Sequence, residues 1–88
     1  MENTQPLSDK KILLVDDDRS FRQVMLFHLQ EEGFQCETAN DGVAAYQKYI
    51  KNGHPVIVTD LKMPGMGGIE LMEKVHEHNH DINVIVIT

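Results

Sequence analysis

Carboxylates carry the first chemical signal in this chain. In the stretch KILLVDDDRS, residues 11–20, an apolar run ends in Asp16, Asp17 and Asp18. Adjacent like charges cost free energy unless a cation or hydrogen-bond donors offset them. Asp60 closes a second apolar run, PVIVTD, and Thr88 closes a third, INVIVIT. Oxygen donors carrying several negative charges favour a hard cation, Mg²⁺ before Zn²⁺. That chemistry requires residues far apart in the chain to meet.

The elements between them supply a way. The runs at 11–16 and 55–60 have the apolar character of strands buried on both faces of a parallel sheet, and INVIVIT, 82–88, reads as a further strand. FQCETA is short, alternating and β-prone. Between the strands, Phe21, Val24, Met25 and Leu29 follow helical spacing, with Asp18 or Ser20 as N-cap and Gly33 as the stop. Asp41-Gly42 would suit a hairpin turn. The residues after it are rich in Ala, Gln and Lys, which predicts a helix from Asp41 to about Asn52 instead. LKMPGMGG is a loop, and a third helix follows with Ile69, Met72 and Val75 on one face. The order βαβαβαβ predicts an α/β fold with right-handed crossovers. All strand carboxyl ends of such a sheet lie along one edge, where ligands bind. Asp16, Asp17, Asp60 and Thr88 are thereby brought to one crevice.

Composition narrows the partners. The chain has 88 residues, room for one small domain, read as a polar tail over 1–9 and a folded unit over 10–88. A formal net charge of −6 argues against direct contact with nucleic acid or an anionic membrane. The single Cys36 can form no internal disulfide, which fits a reducing, cytoplasmic setting. No apolar run reaches membrane-spanning length, and MENTQPLSDK lacks the apolar centre of a signal peptide.

The motifs ILLVDDD, ANDGVAA, VIVTDLKMPGMGGIEL and VIVIT, taken together from Lys11 to Thr88, resemble the receiver domain of bacterial two-component response regulators. The resemblance implies a flavodoxin-like (CheY-like) parallel sheet with strand order 2-1-3-4-5. It implies that Asp60 is the phosphoacceptor, Asp17 a direct Mg²⁺ ligand and Asp16 its acidic neighbour acting through water. The backbone carbonyl of Lys62 would complete the metal site. Thr88 would be the switch hydroxyl, and Gly42 and Pro64 turn residues. The donor would be a phosphohistidine on a sensor histidine kinase or phosphotransfer protein, and the domain would be a signalling switch rather than an enzyme. Members of the family continue past strand four through a helix, a strand with a phosphoryl-pairing Lys and an aromatic switch residue, and a last helix. The 88 residues therefore read as a receiver incomplete at its C-terminus, with an uncovered strand at 82–88 inviting self-association.

Two other functional readings share these residues. ILLVDDDRS also resembles the D-x-D start of haloacid-dehalogenase-type phosphatases, with Asp16 as nucleophile and Asp18 as general acid. A degenerate receiver used only for binding is the other. Elsewhere, His76 and His80 have the i, i+4 spacing of a metal pair, weighed against an exposed helix end where His complements the helix dipole. His28 reads as a partly exposed helix residue, Cys36 as a small core residue, and Met63 and Met66 as loop packing.

Overall fold

The computed structural model describes residues 11–87. The tail expected over 1–9 and the hydroxyl of Thr88 fall outside those residues. Seven elements alternate: β1 (Lys11–Val15), α1 (Arg19–Glu31), β2 (Gln35–Ala39), α2 (Gly42–Asn52), β3 (Val56–Asp60), α3 (Gly68–His78) and β4 (Asn83–Ile87). The four strands form one parallel sheet in the order β2-β1-β3-β4. Parallel neighbours cannot be joined by tight turns, so each connection crosses a face as a helix.

The apolar strands work on both faces. Leu13, Val15 and Ile57 point to one side, where Ala45 and Tyr49 of α2 and Leu71 and Val75 of α3 meet them. Ile12, Leu14 and Val58 point to the other, against Met25, Leu26 and Leu29 of α1. Cys36 packs with this second cluster, and Met63 is buried in the first. His28 is exposed.

Two helix faces differ from the expected ones. In α3, Ile69 is 45% exposed, whereas Leu71 is fully buried with Val75. The four-residue step from Leu71 to Val75 sets the inward stripe, and Ile69 lies to its side. In α1, Phe21 and Val24 are exposed, and Met25, Leu26 and Leu29 make the sheet contact. No residue of α1 is fully buried, so this helix covers its face of the sheet only partly.

The helix ends follow local chemistry. Asp18 caps α1, its Oδ1 accepting the amides of Ser20 at 3.0 Å and Phe21 at 3.2 Å. Asp41 caps α2 through the Ala44 amide at 2.7 Å. Gly67 starts α3 with extended backbone and no side-chain cap.

Candidate functional site

Asp16 follows the last residue of β1, and Asp60 is the last residue of β3. These strands are adjacent in the sheet, which brings the two acids side by side. Asp17 stands one residue further along the β1–α1 turn. One carboxylate oxygen from each of Asp16, Asp17 and Asp60 lies within 4.8 Å of the others. Asp18 does not join them, because its carboxylate is spent on the first turn of α1.

The three acids differ in exposure. Asp16 is only 3% exposed, Asp60 is half-buried and Asp17 is open to solvent. Asp16 is held from three directions. Its amide donates to the Ala39 carbonyl at 3.2 Å, its Oδ1 accepts the Asp18 amide at 2.8 Å, and its carbonyl accepts Arg22 Nη1 at 2.6 Å. Burial pushes the Asp16 carboxyl above its ordinary value of 3.8. The Asp18 amide works against that shift, and the charges of Asp60, Asp17 and Asp18 add to it. Repulsion within the cluster is thus part of what a cation would relieve. Oδ1 of Asp60 accepts the Leu61 amide at 2.8 Å, and among the described residues no donor meets Oδ2. A cleft of about 200 Å³ beside the cluster is lined by Asp16, Asp18, Phe21, Asp60 and Ile87.

The loop after Asp60 is shaped by glycine. A Cβ on Gly68 would overlap the Asp60 carbonyl, and one on Gly42 would overlap the backbone and side chain of Met66. Only glycine at these two places lets the β3–α3 loop fold close to the acid and against α2. Lys62 is exposed within this loop. Pro64 is exposed, and Met66 packs against the core.

Reading the sequence missed Arg22, Gly68 and a polar network on the α2 side. Arg22 lies in the first turn of α1, and only the fold shows that it reaches back to Asp16. In the network, His54 is fully buried and its Nε2 meets Glu37 Oε1 at 2.8 Å. Asn52 donates to the same oxygen at 2.9 Å. Among the described residues, His54 Nδ1 has no partner. Protonating it would bury an N–H without an acceptor, so the neutral ring with Nε2–H donating to Glu37 is the favoured form. Burial likewise lowers the His54 pKa from its ordinary 6.5, outweighing the pull of Glu37. For Glu37 burial acts upward, but hydrogen bonds from Asn52 and His54, with the charges of His54 and Lys48, bring its pKa below the ordinary 4.5.

Of the histidines near the end of α3, His80 is exposed with its Nε2 3.7 Å from Asp81 Oδ1, and two others are held within the fold. His76 Nε2 donates to the Ile82 carbonyl at 2.9 Å, and His78 Nδ1 pairs with the Tyr49 hydroxyl at 2.9 Å. Both also lie in the last turn of α3, where a cationic imidazole complements the helix dipole. Among the described residues, Asp16, Asp17 and Asp60 are the one group of three or more His, Cys, Asp or Glu side chains close enough together to hold a metal ion. No helix among them is long and apolar enough to cross a membrane.

Residues 12–88 match the family described as the response regulator receiver domain. The sensor histidine kinase RcsC of Salmonella typhimurium is 35% identical over 80 residues, covering 91% of this chain and 8% of that protein. The response regulator TrrA of Thermotoga maritima, solved in complex with Mg²⁺-BeF, is 32% identical with a TM-score of 0.85, over 88% of this chain and 67% of that one. A complex of the histidine kinase ThkA with the response regulator TrrA gives 33% identity and a TM-score of 0.85, over 90% of this chain and 68% of the matched chain. The chain thus spans less than a tenth of the RcsC sequence and about two thirds of the matched solved chains. With its flavodoxin-like sheet and its matched sequence from strand one to strand four, the chain belongs to the response regulator receiver domain family.

Proposed function

We propose that this domain is the phosphoacceptor of a two-component signalling pathway, taking a phosphoryl group from a histidine kinase or phosphotransfer protein onto Asp60. One observation carries the reading: the Asp60 carboxylate, with Oδ2 unmet by any donor among the described residues, stands beside the Asp16–Asp17 pair. In the transfer, an Asp60 oxygen attacks phosphorus, the phosphorus–nitrogen bond of the donor phosphohistidine breaks, and the imidazole leaves with the bonding electrons. An acyl phosphate on Asp60 is the product. The Leu61 amide orients the carboxylate through Oδ1. Asp16, fixed by Ala39, Asp18 and Arg22, and the more exposed Asp17 hold the acidic environment in place.

Asp16, Asp17 and Asp60, with the Lys62 backbone carbonyl, would hold Mg²⁺. The all-oxygen donor set and its mutual spacing fit a small hard cation. Such an ion supplies charge neutralisation to an anionic phosphoryl group. The solved complex of TrrA with Mg²⁺-BeF supports both the metal and the acceptor role. The ThkA–TrrA complex supports a kinase partner. Thr88 would serve as the switch hydroxyl, donating to the added phosphoryl oxygens. In this reading the domain is a cytoplasmic switch rather than an enzyme with a turnover substrate, it contacts neither nucleic acid nor membrane directly, and the 88-residue chain self-associates through residues 82–88.

The phosphatase reading fits less well. Asp18 would have to act as general acid, yet its carboxylate accepts two helix amides. Acetyl phosphate offers a direct test. Incorporation of phosphate should require Mg²⁺ and disappear in Asp60→Asn. Undiminished incorporation in Asp60→Asn, or with EDTA present, would overturn the assignment.

A further inference from the structure

A second cleft lies between α1 and α2, over the carboxyl end of β2. Its volume is about 270 Å³, and its walls are Arg22, Thr38, Ala39, Asn40, Ala44 and Lys48. Two of the chain's eight Lys and Arg residues therefore line it, while no carboxylate among the described residues does. The nearest helix cap, Asp41, is engaged with the Ala44 amide. Glu37, whose carboxylate feels the charge of Lys48, directs its hydrogen bonds to Asn52 and His54.

Both cations are anchored. Arg22 spends one guanidinium hydrogen on the Asp16 carbonyl, and Lys48 spends one ammonium hydrogen on the Thr38 carbonyl. A guanidinium has five donors and an ammonium three, so most of their hydrogen-bonding capacity remains. Neither forms an ion pair among the described residues. Anchoring to strand-end carbonyls restricts the long side chains in advance, which lowers the entropy cost of meeting a ligand. In a chain of net charge −6, an oxyanion is repelled from most of the surface and attracted where cations converge. We propose that this cleft binds a phosphate-type oxyanion at a site separate from the acidic cluster. Arg22 supplies a planar fork for two oxygens, Lys48 a point charge, and the Asn40 amide a neutral donor.

The test is an amide-resolved NMR titration of the protein with inorganic phosphate in EDTA, at ionic strength held constant with chloride. Saturable shifts confined to residues 38–44 and the Arg22 and Lys48 side chains are expected. Lys48→Met should weaken binding about tenfold, the effect of losing one charge-assisted bond. Lys48→Arg should restore it, and Asp60→Asn should leave it unchanged. A parallel titration with phenyl phosphate separates the sources. Tighter binding of the monoester assigns the cleft to phosphorylated small molecules, and tighter binding of inorganic phosphate assigns it to the free ion. No saturable shift, shifts centred on residues 16–18 and 60–62, or full binding in Lys48→Met would overturn the proposal.

Discussion

Three consecutive aspartates have three different surroundings. Asp16 is buried and fixed by backbone partners, Asp17 faces solvent beside Asp60, and Asp18 caps a helix. Substitutions should separate them. Asp18→Ala removes an N-cap and should cost about 1 kcal/mol of stability, with Mg²⁺ affinity little changed. Asp17→Asn should do the reverse, and Mg²⁺ titration with urea unfolding of both variants checks the split. Equal losses of Mg²⁺ affinity would contradict it. His54 and Glu37 give a pH dependence. His54 is depressed below 6.5, so the unfolded chain takes up its proton first as pH falls. Stability is fully present above that value and declines through the window below it. Glu37, depressed below 4.5, acts in the same direction at lower pH. The urea midpoint should therefore fall between about pH 7.5 and about pH 5.5, and His54→Phe should flatten that slope. A wild-type midpoint constant over this range would contradict the neutral, buried imidazole.

At the scale of the elements, burial decides which apolar residues matter. Leu71→Ala opens the core between α3 and the sheet and should cost about 2–5 kcal/mol, whereas Ile69→Ala should stay within about 0.5 kcal/mol. Thermal unfolding of the two variants measures the contrast. Element type and order were legible because β1, β3 and β4 are largely apolar runs, β2 alternates, and α1 and α2 carry their own Asp caps. The inward face of α3 was not, since Ile69-Met72-Val75 and Leu71-Val75 both satisfy helical spacing and only the neighbouring sheet selects between them. Meeting of the strand-end acids was legible from topology, because a parallel sheet puts all carboxyl ends together. The reach of Arg22 to Asp16, of Lys48 to Thr38 and of His54 to Glu37 was not, because each joins residues from different elements. Gly68 was overlooked for a similar reason: its role depends on the approach of the Asp60 carbonyl.

For the molecule as a whole, the sheet is asymmetric. Within the described residues β4 pairs only with β3, and its Val84, Ile85, Val86 and Ile87 carry no charge. Half of Ile85 is exposed. An uncharged, β-branched edge of this kind recruits another strand. Light scattering after size exclusion should show the 88-residue polypeptide as a dimer or larger species, and Ile85→Lys should shift it toward monomer. A wild-type monomer at high concentration would contradict that expectation. The central claim concerns one carboxylate, and it can be read at a single residue. Acyl phosphate formed with acetyl phosphate and Mg²⁺ is reduced with borohydride, and the modified position is mapped by mass spectrometry. The label is predicted at Asp60 alone, and a label at Asp16 would contradict the phosphoacceptor assignment.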